Sequence, residues 1–266
     1  MSQTDDSDRP KSDSDILQEQ MEDSLHEYRR ANRSLFLSSV AAGLEIGFSL
    51  FLVAAFYTHL HGSIAQELMS LLVALSYPVG FILVIIGRTD LFTEHTTLAI
   101  LPVLDRRRSF AGLMRVWGLI YSGNLVGAAL FSLIFVQFVH LTDRLDAGVF
   151  SYYSEKLLGD NAAGQFLGAI FAGWLMGLLG WMVTSSAETI SRMAVVTLIT
   201  FVIGFGGLAH CIAGAVGVFS ALIDGDAAVS IGDATQFLVL STLGNTVGGT
   251  IFVGLLKYSY VASGRG

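Results

Sequence analysis

Apolar residues along this chain gather into long runs, separated by short polar stretches, rather than alternating or forming a single helical stripe. Six runs stand out, at residues 35–57, 68–104, 113–139, 162–184, 194–223 and 237–261. A helix needs about 20 residues to cross about 30 Å of hydrocarbon, so each run is long enough for one span. The second and fifth are longer than one span requires, and both are interrupted. Gly87-Arg88-Thr89-Asp90 breaks the second; Gly204, Gly206 and Gly207, ahead of His210, break the fifth. Irregular backbone at membrane depth persists only where protein buries it or a wet cavity receives it.

The breaks fall in the middle span of each half, and a motif repeats at the same interval. Gly123-Asn124-Leu125-Val126-Gly127-Ala128 lies in the third run and Gly244-Asn245-Thr246-Val247-Gly248-Gly249 in the sixth. Halves of three spans each must be inverted relative to one another, an architecture that places a site at the bilayer midplane. The expected fold is therefore an all-α polytopic membrane protein of six transmembrane helices in two inverted three-helix repeats, with helices 2 and 5 broken. Gly123, Gly127, Gly244 and Gly248 form small-xxx-small pairs that let helices approach closely. Asn124 and Asn245 then serve as scaffold, hydrogen-bonding across to the broken segments, with Asp90 on the first break.

Composition agrees. Of 266 residues 53% are hydrophobic and 14% charged, which suits a membrane protein and not a soluble domain. The single cysteine, Cys211, excludes an internal disulfide framework and a cysteine-based zinc site. No signal-peptide pattern appears in the acidic N-terminus, so insertion is expected to start from the first span. Residues 1–13 read as low-complexity tail, followed by a helix to about Arg33 capped by Ser14, with Ile16, Met21, Leu25 and Tyr28 as its apolar stripe. The domains expected are a cytoplasmic N-terminal tail and helix (1–33), the pore domain (34–261) and a short cytoplasmic tail (262–266).

The net charge of −7 is concentrated, with nine of the 22 acids within the first 33 residues. No basic patch exceeds Arg106-Arg107-Arg108, which argues against a nucleic-acid partner. Six spans put Arg9, Lys11, Arg29, Arg30, Arg33, Arg106, Arg107, Arg108, Arg115, Arg192, Lys257 and Arg265 on one side, and only Arg144 and Lys156 on the other. Both termini are therefore expected in the cytoplasm, with the chain multi-pass in the cell membrane and lipid as its surroundings.

Four ionisable side chains, Glu45, Arg88, Asp90 and Glu94, fall inside apolar runs, together with His95 and His210. One such charge at a helix centre costs about 2.5–3.5 kcal/mol on insertion scales, so each should face a cavity or a partner. Arg88 has two readings, a local ion pair with Asp90 or a pore-lining cation, and Glu45 is a candidate partner for it across helices. A histidine on an apolar helix is usually a packing residue. His210 differs because it follows a glycine-rich break, and its unperturbed pKa suits it to holding and passing a proton. Cys211 beside it reads as a small packing residue.

These residues resemble the formate/nitrite transporter family, whose members conduct small monovalent anions such as formate, nitrite and hydrosulfide. The similarity covers the chain from about residue 30. Asp90-Leu91-Phe92-Thr93 looks like the family motif at the break of span two, Tyr121 to Ala128 like its third span, Leu243 to Gly249 like its sixth, and His210 falls at its central pore histidine. The resemblance implies an aquaporin-like fold and a homopentamer with one pore per protomer. It also implies apolar constrictions at Tyr77, Phe81, Leu91, Phe92 and Ile203, with Thr93 beside the histidine. The chain departs from the family in four places. Glu94-His95 replaces a small residue and Asn; Leu208-Ala209 precedes His210 without the usual acid; Gly214 stands for an Asn; and Arg88 stands where a small residue is common.

The function expected is a channel or transporter for a small monovalent anion, proton-linked through His210 with Thr93 and Arg88 as further pore residues. The alternatives are a channel for small neutral solutes and a non-conducting membrane scaffold. No catalytic constellation, metal-ligand spacing or phosphate loop stands out, so neither enzyme activity, metal nor cofactor is expected.

Overall fold

The computed structural model describes residues 11–264; the tail up to Pro10, with Arg9, and the terminal Arg265 and Gly266 lie outside the described residues. Every element within them is helical. An amphipathic helix comes first, α1 (Asp13–Arg29), and its N-cap is Ser12 rather than Ser14, in a reciprocal capping box with Asp15. Its apolar face (Ile16, Leu17, Met21) packs on Leu101, Trp181 and Val261, the ends of three other segments.

The first half follows as α2 (Asn32–Ile46) and α3 (Phe48–Leu60), joined at Gly47, then α4 (Gln66–Gly87), α5 (Phe92–Leu98), α6 (Leu101–Leu104) and α7 (Phe110–Thr142). A short helix, α8 (Gly148–Leu158), links the halves. The second half is α9 (Ala162–Ser185), α10 (Thr189–Phe205), α11 (Cys211–Asp224), α12 (Ile231–Val247), a π-helical stretch Gly248–Leu255, and α13 (Leu256–Ser263). Among the described residues, helical stretches 32–60, 66–87, 110–142, 162–185 and 231–263 are long and apolar enough to cross a membrane. The two shorter apolar helices α10 and α11 take the place of the fifth run, with the break between them.

The second run keeps its break at Arg88-Thr89-Asp90, and α4 ahead of it is long enough for a span: 22 residues, about 33 Å at 1.5 Å per residue. One expectation changes: the glycines of the fifth run do not all lie in the break, because α10 extends through Gly204 to Phe205. Residues 148–158, between the third and fourth runs, form α8.

The two halves repeat in detail. α2 packs along α7, and α9 along α12. At both crossings the backbones nearly touch: a Cβ on Gly43 would overlap Asn124 O and Gly127, and one on Gly173 would overlap Asn245. Small residues permit this approach, and with it the asparagines reach the breaks.

Candidate functional site

Each break is a short run of non-helical backbone whose amide and carbonyl groups need partners in a dry interior. Asn124 Nδ2 donates to Ser39 O (2.8 Å) and Asp90 O (2.8 Å), while its Oδ1 accepts from Phe92 N (2.8 Å). Asn245 does the same in the other half. Its Nδ2 donates to Ala169 O (2.8 Å) and Ala209 O (2.9 Å), and its Oδ1 accepts from Cys211 N (2.8 Å).

The correspondence fixes a register between the breaks: Arg88 matches Gly207, Asp90 matches Ala209, Leu91 matches His210 and Phe92 matches Cys211. Backbone geometry follows it. Arg88 and Gly207 both take the left-handed conformation, φ 59° and 62°. Thr89 N donates to Val84 O (3.1 Å), and Leu208 N donates to Ile203 O (3.0 Å). His210 and Leu91 are the N-caps of α11 and α5.

His210 is buried, and both its nitrogens are engaged. Nδ1 accepts from Ala213 N (3.2 Å), capping α11. An accepting Nδ1 carries no hydrogen, so the neutral ring bears its proton on Nε2, which donates to Thr93 Oγ1 at 2.8 Å. Thr93, fully buried on α5, joins the two breaks through this bond. Phe81 stands edge-on to the imidazole, centroids 5.0 Å apart, and Tyr77 stacks on Phe81 at 5.3 Å. Leu91 and Ile203 are buried in the same core. Phe92 is directed to the third span, edge-on to Tyr121 (5.0 Å) and Trp117 (6.2 Å). Gly214, where the related pattern has Asn, lies under the ring of Phe237, which leaves no room for a side chain.

Arg88, Asp90, Glu94 and His95 line a cavity of about 770 Å³ under α1. Its walls come from α1 (Glu19, Asp23, Glu27, Arg30), the first break (Arg88, Thr89, Asp90), α5 (Glu94, His95) and the α9–α10 junction (Thr184, Arg192). Both partners expected for Arg88 are otherwise engaged. Asp90 pairs with Arg30 (2.8 Å), not Arg88. Glu45 Oε2 accepts from Thr89 Oγ1 (2.6 Å). Arg88 is exposed to the cavity and makes no direct ion pair among the described residues. Sequence reasoning missed Arg30 and Arg192 as cavity residues, because nothing local marks basic residues near a membrane face as belonging to a mouth. On α1, burial and the neighbouring Glu19 hold the Asp23 carboxyl above its usual range, offset in part by Arg88. Burial also pushes Tyr28 up to about 12, and its hydroxyl donates to Ala99 O (2.7 Å), anchoring α1 to the second run.

A pair of broken helices, pinned by matched asparagines and joined by a buried histidine–threonine bond beside an aromatic pair, fits a membrane channel or transporter rather than an enzyme. Comparison with known proteins is specific. The Formate/nitrite transporter family profile matches residues 14–259, and the chain belongs to that family. It is 30% identical to the inner membrane protein YfdC of Escherichia coli (strain K12) over 243 residues, 90% of this chain and 76% of that one. A solved FNT family ion channel superposes with TM-score 0.84 at 20% identity, covering 93% of this chain and 99% of its own. A pentameric formate channel with formate bound gives TM-score 0.72 at 24% identity, covering 87% and 98%. The fold is the aquaporin-like one of those channels.

Proposed function

We propose that the chain conducts a small monovalent anion of the formate or nitrite class across the cell membrane as a homopentamer, with both termini cytoplasmic and passage linked to a proton through His210. The observation that carries this reading is the Nε2–H···Oγ1 bond between His210 and Thr93, buried beside Phe81. Because the imidazole donates to Thr93 Oγ1, the threonine hydroxyl hydrogen is left to point elsewhere, toward an oxyanion in the passage. Tyr77, Phe81, Leu91, Phe92 and Ile203 serve as the apolar ring that strips water from the anion. A bare charge there is costly, so the cheaper course is to take a proton, cross as the neutral acid and release the proton beyond. Arg88, on the cavity wall, raises the local anion concentration.

Taking a second proton at His210 Nδ1 requires release of the Ala213 amide, so protonation is coupled to the first turn of α11. Two substitutions separate the roles. His210→Phe removes cap and donor alike and should abolish proton-linked formate uptake into liposomes. His210→Asn keeps a capping oxygen but cannot titrate; it should preserve folding and flatten the pH dependence of flux. Unchanged pH-dependent uptake in both variants counts against the reading. Swelling driven by glycerol or ammonia without formate flux would favour a neutral-solute channel instead.

A further inference from the structure

Beneath α1, away from His210, a second imidazole is held in an arrangement the transport reading does not use. His95 lies on α5 and is 6% exposed. Its Nδ1 is 3.0 Å from Leu91 O, and a carbonyl only accepts, so Nδ1 carries the hydrogen. Its backbone carbonyl is held by Trp117 Nε1 (3.0 Å). In the neutral ring Nε2 is then a bare lone pair, and it is aimed at Asp90 Oδ1, 3.5 Å away, with no hydrogen bond of its own. Two acceptors facing each other in a buried site repel unless a proton or a metal cation lies between them.

A third ligand is present. Arg30 Nη1 bridges Glu27 Oε2 (2.6 Å) and Asp90 Oδ2 (2.8 Å), which sets the two carboxylates side by side and leaves Asp90 Oδ1 turned to the histidine. One ligand atom from each of Glu27, Asp90 and His95 lies within 4.8 Å of the others. The cavity around them carries five carboxylates (Glu19, Asp23, Glu27, Asp90, Glu94) against three guanidiniums (Arg30, Arg88, Arg192). Two ligand atoms about 2.1 Å from a tetrahedral ion lie about 3.4 Å apart, close to the Asp90–His95 separation. A donor Nδ1–H committed to a backbone carbonyl is also the support that metal-bound histidines have, since it fixes the tautomer and aims Nε2.

We propose that Glu27, Asp90 and His95 form a site for a divalent first-row transition metal ion of the zinc, cobalt or nickel class. Its nitrogen-and-oxygen donor set suits those ions over calcium or magnesium, and the cavity supplies the remaining ligands as water. Glu27 lies on α1 and the other two ligands on the first break and α5, so an occupied site fastens α1 over the cavity.

The test uses the full-length protein in detergent, stripped with a chelator and titrated with zinc chloride by calorimetry. One zinc ion per protomer is expected. His95→Gln should weaken binding at least tenfold and Glu27→Gln severalfold, whereas His59→Gln, at a surface imidazole, should leave it unchanged. Zinc-edge anomalous diffraction of the unsubstituted protein needs no variant and should place a peak about 2.1 Å from His95 Nε2. Equal affinity in His95→Gln, or no anomalous peak between His95 and Asp90, would overturn the site. So would a ¹⁵N spectrum showing His95 as an imidazolium in saturating zinc, since a proton would then fill the gap.

Discussion

Arg88 holds a left-handed backbone conformation that costs a non-glycine residue about 1–2 kcal/mol, and its partner in the other half is Gly207. An arginine kept at a position natural to glycine needs a reason. Its place on the cavity wall, without a direct ion pair among the described residues, fits the proposed recruitment of anions. Arg88→Gly is a useful test because glycine fits the turn, and the salt dependence of the deficit separates the charge from the rest of the side chain. The variant should fold with unchanged or slightly higher thermal stability. Formate uptake should fall severalfold at low ionic strength, and the deficit should shrink as salt screens the field. An uptake deficit that persists at 1 M salt would point to a steric role instead.

Among the elements, the two breaks are the most dependent on single side chains. Asn245→Leu strips partners from Cys211 N–H and Ala209 O in a buried site, at about 1–3 kcal/mol for each buried group. A loss of about 3 kcal/mol is expected, read as a lowered midpoint in denaturant, and Asn124→Leu should match it because its bonds are the same. The docking of α1 depends on charge. Asp23 is held above its usual carboxyl range by burial, so the folded state binds its proton more tightly than the unfolded chain does. Its contribution is therefore favourable below the unfolded value of 3.8 and is lost as pH rises through the folded value. Asp23→Asn should accordingly raise thermal stability at pH 7 in chelator, with the difference vanishing by about pH 3.

The same elements show what local pattern can and cannot carry. The runs, the Gly-Asn pairs and the break before His210 were legible because each is contiguous and repeated. The π-helical stretch Gly248–Leu255 was not legible: it has no local signature, and its Gly249 carbonyl is taken by Thr97 Oγ1 (2.9 Å), from the other half of the chain. Nor was α8, which lies outside the long apolar runs. The Arg30–Asp90 pair joins two segments that only the folded chain brings together, so the sequence offered Arg88 as the local partner of Asp90 in one of its two readings, and that reading does not hold.

At the scale of the molecule, inversion of the halves ties the chemistry to a side of the membrane. The charged cavity includes Arg192 and is roofed by α1, whereas His140 of α7 and Asp224 of α11 meet at the far ends of their helices (2.6 Å). If arginine and lysine direct insertion, the cavity opens to the cytoplasm and the His140–Asp224 pair faces out. The protein is suited to a direct test because its single cysteine, Cys211, is fully buried, so an introduced thiol reports alone. Arg144→Cys, between α7 and α8, should react with an impermeant maleimide in intact cells. Arg107→Cys, between α6 and α7, should react only after permeabilisation. The opposite labelling would turn the molecule over, placing α1, Arg88 and the Glu27–Asp90–His95 cluster outside. Recruitment by Arg88 would then serve uptake from the medium, and any metal held under α1 would come from there as well.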